Sequence, residues 1–356
     1  MEKTFKLRIE EFWSKFQLQE KELYQMILSQ DDPEAIMDRI QELLNVAFES
    51  VYFELATSED KCILNLRIEG NRLIWFLNDY WKRKAPAGLS ERWIFNAALP
   101  MTTDNTPIDL DVYGKEINAD DFEVYAETDR QEAKINLEIV APKLKDSTDQ
   151  EKYSTLYLFL EHYLGEIEVM EYIGDIEFTD KPDYPDKIKL TTFASYIQSR
   201  IDEHKWLLVD KPTNNFSTYS MDPVEEDTLD LREDVIAGNS ACIPIINAYY
   251  NDDPTLFRFA MENGVFLGFF YYNNTKITPD TSVAFRAEIE QKLEEKINGK
   301  SIADLIGGAT GLEYSYIDII VYDMDLFKPI AKEVLEAYAL DESGLSEFVR
   351  GGDIEL

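Results

Sequence analysis

Two periodicities alternate along this chain, and between them they restrict the fold. Segments with apolar residues three and four apart read as amphipathic helices, and segments that alternate apolar with polar read as half-buried strands. Asp32-Pro33 opens one helix, with an aspartate N-cap and proline in the first turn, and Ile36, Ile40, Leu43, Leu44 and Ala47 mark its apolar face. Phe12, Trp13 and Phe16 predict an earlier helix, and Leu73, Leu77, Tyr80 and Trp81 a later one that stops at Ala85-Pro86. Tyr153, Leu156, Tyr157, Leu160 and Leu164 form a further stripe closed by Gly165, and Leu190, Phe193, Ala194, Ile197 and Ile201 another.

Strands are predicted at 51–55, 62–68, 93–97 and 122–126, and at Ile135, Leu137 and Ile139, where the period of two is cleanest. A strand region is also predicted from Ile167 to Phe178. In the second half, Ile243–Tyr250, Val265–Tyr272 and Tyr314–Tyr322 read as strands. Helices are expected around 254–261, through Phe285, Ile289, Leu293 and Ile297, and through Phe327, Ile330, Ala331, Val334, Leu335 and Tyr338. Helices and strands in this mixture predict an α+β class: antiparallel or mixed sheets with helices packed on one face, and ferredoxin-like layering in the second half.

With 356 residues, two domains are expected. The boundaries read as 1–205, an α+β domain with an N-terminal helical arm, then 206–240, an acidic loop or linker, then 241–356, a smaller α+β domain. The Tyr-Ile-Gly-Asp-Ile run at 172–176 and the Tyr-Ile-Asp-Ile run at 316–319 raise the possibility of an internal duplication.

Charge narrows the function. Asp and Glu number 70 against 35 Lys and Arg, a formal net charge of −35. Nucleic acid and anionic membranes are bound through basic faces, so neither is an expected direct partner. A basic protein surface is the partner such a field would attract, although acidity also serves solubility alone. The densest acidic stretch, DPVEEDTLDLRED, offers Asp222, Glu225, Glu226, Asp227 and Asp230 as candidate contacts.

Signals for chemistry are thin. Only two histidines (His162, His204) and two widely separated cysteines (Cys62, Cys242) occur, which argues against a structural zinc site. The cysteines lie in apolar runs and read as buried free thiols. His162 reads as solvated. Asp323-Met-Asp325 is either an N-cap or a cation-binding pair, and the N-cap reading is preferred. Asp109 and Asp111 share a strand face and read as an exposed acidic edge. Gly238 to Cys242 lacks the closing glycine of a nucleophile elbow, and Gly307-Gly308-Ala309-Thr310-Gly311 lacks a P-loop lysine and reads as a flexible connection. No catalytic residue, cofactor or metal is assigned. The competing reading is a metal-assisted hydrolase built on Asp and Glu clusters. No apolar run reaches the roughly 20 residues of a membrane span, and the opening MEKTFKLRIEEFW has no apolar signal segment, so a cytoplasmic location is expected.

Phe12-Trp13 with Phe16, LNDYWKRKAP at 77–86 followed by Trp93 and Leu99-Pro100, and above all LGEIEVMEYIGDIEF at 164–178 carry a resemblance. Over about residues 10–180 the chain resembles an uncharacterised family of bacterial cytosolic proteins, a group of domains of unknown function. That resemblance implies a bacterial origin and no assigned activity, and it transfers no catalytic residue. By analogy alone, acidic α+β proteins of this kind include inhibitors and immunity proteins.

Overall fold

The computed structural model describes residues 3–30, 32–102, 104–224, 230–338, 340 and 342–354. In chain order, helices α1 (Phe5–Ser29) and α2 (Pro33–Ala47) precede β1 (Phe53–Ser58), β2 (Lys61–Leu66), α3 (Arg72–Arg83) and β3 (Trp93–Asn96). Next come β4 (Asp109–Val112), β5 (Lys115–Asn118), β6 (Glu123–Asp129) and β7 (Lys134–Val140), then α4 (Asp149–Leu164), α5 (Glu166–Tyr172), β8 (Ile173–Phe178), β9 (Asp186–Ile188) and α6 (Phe193–His204). The remainder holds β10 (Ser217–Ser220), β11 (Val235–Ser240), α7 (Ile243–Tyr250), α8 (Thr255–Glu262), β12 (Phe266–Asn273) and α9 (Pro279–Ile297). It closes with β13 (Ala303–Gly311), β14 (Tyr314–Val321), α10 (Met324–Tyr338), β15 (Gly344–Glu347) and β16 (Asp353–Ile354). The class is α+β.

These elements fall into two compact units that interleave in sequence: Met1–Val51 with Arg83–Ser90 and Lys211–Leu356, and Tyr52–Lys82 with Glu91–Asp210. The helices that the sequence reading attached to the first half therefore group with the second. The first amides of α1, otherwise without acceptors, donate to that half: Phe5 N to Gly264 O at 2.9 Å and Lys6 N to Tyr322 O at 3.0 Å.

The first unit is built on a sheet of order β10-β11-β13-β14-β12-β15-β16. Its centre runs β12-α9-β13-β14-α10-β15, with β14 between β13 and β12 and β15 on the far side of β12, every neighbour antiparallel. This is the ferredoxin-like order. Ile289 and Leu293 of α9 and Phe327, Ala331 and Val334 of α10 pack on Phe270, Ile317 and Ile319 of the sheet.

The opposite face of that sheet is closed around an ion pair. Arg232 and Asp318 are fully buried, with Arg232 Nη1 donating to Asp318 Oδ1 at 2.6 Å and Nη2 to the Tyr219 hydroxyl at 2.8 Å. The guanidinium carbon lies 4.9 Å from the Phe269 and Phe348 ring centres and 5.1 Å from that of Tyr316. Aromatic faces and a carboxylate together replace the water that the guanidinium gives up.

Several local expectations are corrected. Gly307–Gly311 belongs to β13 and is no flexible connection: a Cβ on Gly311 would sit 2.1 Å from Asp234 Oδ2, so glycine there admits a close approach. Ile243–Tyr250 is a helix, because Pro244 suits a first turn and cannot donate to a strand ladder, and a run whose apolar residues are interrupted only by Asn247 carries neither period. Residues 166–172 are the helix α5, so only the second half of the expected 167–178 strand is extended. Parts of the 206–240 linker are strands, β10 and β11, paired antiparallel. The two Tyr-Ile runs are not equivalent: β8 is parallel to its neighbour β7, whereas β14 is antiparallel on both sides.

In the second unit, β2, α3 and β3 form a crossover with β2 and β3 parallel, and β1 pairs antiparallel with β2. A separate sheet of order β8-β7-β6-β9 buries Val124, Ile135, Leu137 and Ile139 against Phe159, Leu160 and Tyr163 of α4 and Phe193, Ile197 and Ile201 of α6. A capping box starts α4, with Thr148 and Glu151 satisfying each other's backbone amides.

Breaking the buried pair alone tests its role in the first unit. Arg232→Met should lower unfolding free energy by about 3–5 kcal/mol in urea titrations, because Asp318 is left charged in an apolar site. Arg232→Met combined with Asp318→Leu should recover most of that loss.

Candidate functional site

The second unit gathers its acidic side chains around α5, and the local sequence explains why. Gly165 ends α4 and begins α5 at φ +82°, a conformation open to glycine, and a Cβ there would lie 2.6 Å from Met101 N. The turn places Glu166 inward, 2 % exposed. Its carboxylate accepts from Ile68 N at 3.1 Å, Glu69 N at 2.9 Å and Leu99 N at 2.9 Å, while its own amide donates to Leu99 O at 3.0 Å. Ile68 and Glu69 leave β2 and Leu99 follows β3, so one carboxylate ties both exits of the parallel pair. Asn78 of α3 adds a second tie, donating to Arg67 O at 3.2 Å and Ala97 O at 3.0 Å.

Arg67 meets three acids. Its guanidinium contacts Glu54, Glu161 and Glu166, the last with Nε 3.0 Å from Oε1. One cation against three carboxylates leaves an unbalanced charge, and Glu161 carries it. Burial, with Glu166 nearby, pushes its carboxyl up to about 7 against the pull of Arg67. Glu161, Glu69 and Glu166 line a cavity of ≈ 390 Å³ with Tyr157. Glu168 faces a different cavity, ≈ 380 Å³, and burial pushes its carboxyl up to about 7 as well. Glu171 pairs with Arg72 in the same helix's buried face.

The open face of the β8-β7-β6-β9 sheet is the other acidic surface. Strand alternation turns Glu123, Tyr125 and Glu127 of β6, Glu138 of β7, and Asp175 and Glu177 of β8 away from the core. Glu138 stands in register beside Glu177, and Tyr125 beside both Glu138 and Lys187. Lys187 pairs with Glu123 at 2.7 Å. Among the described residues, no Lys or Arg forms an ion pair with Glu127, Glu138, Asp175 or Glu177. Burial and then these four carboxylates push the Tyr184 hydroxyl up, which places all four around one tyrosine.

Of the residues singled out from the sequence, Asp222 and Asp230 are exposed, and Glu225, Glu226 and Asp227 lie outside the described residues. Asp323 caps α10, its Oδ1 accepting from Leu326 N at 3.3 Å. Asp109 and Asp111 are exposed on β4. Cys62 and Cys242 are buried free thiols. His162 is half-buried, edge-on to Tyr163, where a solvated side chain was expected. Glu161, Glu166, Glu168 and the sheet-face acids were not singled out; three of these glutamates lay in view inside the LGEIEVMEYIGDIEF and helical segments, but acids are too common here for any one to stand out.

Among the described residues no group of three or more His, Cys, Asp and Glu is arranged to hold a metal ion, and no helix is long and apolar enough to cross a membrane. No family model, curated protein or solved structure matches the chain.

Two carboxyls raised from the ordinary 4.5 to about 7 tie stability to pH. Below pH 4.5 both are protonated folded or unfolded; as pH climbs toward 7 the unfolded chain ionises first, so this contribution is lost with rising pH. Glu168→Gln should flatten the fall in urea midpoint across that window, removing no more than about 3 kcal/mol of pH-dependent change. Glu161→Gln should do the same.

Proposed function

We propose that this chain is a non-catalytic acidic binding protein, of inhibitor or immunity type, whose partner presents a basic protein surface. The observation that carries this reading is the in-register pair Glu138–Glu177, with Glu127 and Asp175 around it and no cation of the described chain attached. Like charges directly beside each other on a sheet weaken it. Glu138 also has a structural duty, accepting from Asp183 N at 2.6 Å and Tyr184 N at 2.9 Å, but among the described residues Glu127, Asp175 and Glu177 form no such side-chain bond, and interspersed charges of both signs would serve solubility without them. Tyr125 and Tyr184 add amphipathic rings of the kind that interfaces favour, and the sheet beneath is stiffened by a packed core. This face takes the contact role in place of the 222–230 stretch.

The reading predicts opposite effects on stability and binding. Glu127→Gln, Asp175→Asn and Glu177→Gln together, which leave the Glu138 bonds to Asp183 N and Tyr184 N in place, should raise unfolding free energy by a few tenths to about 1 kcal/mol. In pull-downs from the native lysate, the same triple variant should lose a low-salt partner that the unaltered chain captures and releases at high salt. A control with equal charge change on α2, Glu34→Gln, Asp38→Asn and Glu42→Gln, should keep it. Loss in both variants, or in neither, would reject the sheet face as the contact.

A further inference from the structure

The cavity beside Glu168 has a composition that points to a ligand. It lies where α3, the chain leaving β3 and α5 meet, at the carboxyl end of the parallel β2–β3 pair, the position at which crossover units commonly leave a binding crevice. Its volume of ≈ 380 Å³ falls within the range of small-molecule sites. Trp75, Pro100, Met101 and Val209 give it apolar walls, and Asp79, Lys82, Asn96, Glu168 and Asp210 are polar groups on its lining.

Glu168 is the informative member. Every other carboxylate held in the interior of this unit's α5 has a strong partner: Glu166 takes three backbone amides and Arg67, and Glu171 takes Arg72. Glu168 hydrogen-bonds only its own backbone N–H, and among the described residues no cation stands within ion-pair distance. Gly165 makes the space that the carboxylate occupies, since a Cβ there would lie 2.8 Å from Glu168 Oε2. A half-buried acid kept without a counter-ion costs stability, and an incoming cation would remove that cost.

We propose that this cavity binds a small organic cation, a primary ammonium or guanidinium on an apolar stem, with Glu168 as counter-ion and Trp75, Pro100 and Met101 against the stem. The residues are distinct from the sheet face, so failure of either reading leaves the other standing. The cation can come from a free amine or from a lysine or arginine side chain of a partner, which present the same group to Glu168.

The test uses n-butylammonium as probe and n-butanol as its uncharged match, titrated by calorimetry against the full chain at pH 8. The unaltered chain should bind the amine at least about tenfold more tightly than the alcohol. Glu168→Gln should weaken amine binding by about tenfold, whereas Glu177→Gln, an equal charge change on the sheet face, should leave it within about twofold. Lys82→Gln removes the cation on the lining and should tighten binding about two- to threefold, which keeps the idea testable if the Glu168 variant folds poorly. Competition by a lysine-containing peptide would support the site and assign it to a partner's side chain; amine binding without such competition would support it and assign it to a free amine. Equal weakening in the Glu168 and Glu177 variants would show diffuse attraction by the acidic surface and overturn the proposal, as would equal affinity for amine and alcohol.

Discussion

The carboxylate of Glu166 is the constraint on which the second unit's acidic site depends. It is 2 % exposed and accepts from three backbone amides, of Ile68, Glu69 and Leu99, while Arg67 stands against it. A buried carboxylate is tolerated only when its lone pairs are filled, and here they are filled by backbone from two separate strand exits. The dependence runs both ways. Without Glu166 those amides would face the interior with no acceptor; without the two strand exits at this separation the charge could not be buried. Gly165 and Glu69, both with positive φ, bend the chain so that these groups converge, and Asn78 spans the same two exits from α3. The cavity walls beside Glu168 are therefore held by hydrogen bonds that do not involve that acid, which leaves its carboxyl free to respond to protons or ligands without loss of the frame, whereas Glu161 shares Arg67 with Glu166.

Scarcity of cations shapes the rest. With two acids for every Lys or Arg, pairing every carboxylate is impossible. Arginine meets three of the buried carboxylates, at Arg67 with Glu166, Arg72 with Glu171 and Arg232 with Asp318, where its planar donors and weak hydration reduce the cost of leaving water, while buried Asp234 takes the amides of Glu313 and Tyr314 and the Tyr316 hydroxyl. Lysine supports the rim, as in Lys187 with Glu123. The shortfall then falls on two kinds of place: half-buried acids whose charge is relieved by taking up a proton, Glu161 and Glu168, and exposed acids that water can solvate, Glu127, Asp175 and Glu177.

Much of the fold was legible because its segments carry one clear period. The helix through Leu73, Leu77, Tyr80 and Trp81, the strand through Ile135, Leu137 and Ile139, and, in the second half, the strand at 265–272, the helix through Ile289 and Leu293, the strand at 314–322 and the last helix all appear where expected. Legibility failed where apolar residues run without alternation. Ile243–Tyr250 can satisfy a strand or a helix equally, and only the proline decides. It failed also at glycine. Gly307–Gly311 looks loose in sequence because nothing in the sequence reveals that Asp234 and the neighbouring strand press against it. The site was the least visible part. Glu166 and Glu168 are two residues apart and identical in type, yet one is saturated by amides and the other has no cation; that difference is made by Leu99, Met101 and Ile68, which are 67, 67 and 98 positions away.

The same contrast separates the two acidic surfaces. On the open sheet face, the carboxylates are solvated, so each contributes little by itself, and their joint field is strong only at low salt and over distances of about a Debye length. Such a field favours encounter and orientation over tight hold. Beside Glu168 the carboxylate is shielded from bulk water, so a single contact there is worth more and is less sensitive to salt. A basic partner meeting only the sheet face would bind fast and be released readily by ions, whereas one that also placed a side chain against Glu168 would retain part of its affinity at high salt. The curvature of affinity against ionic strength is thus a physical measure of how many contacts lie on the open sheet and how many in the cavity.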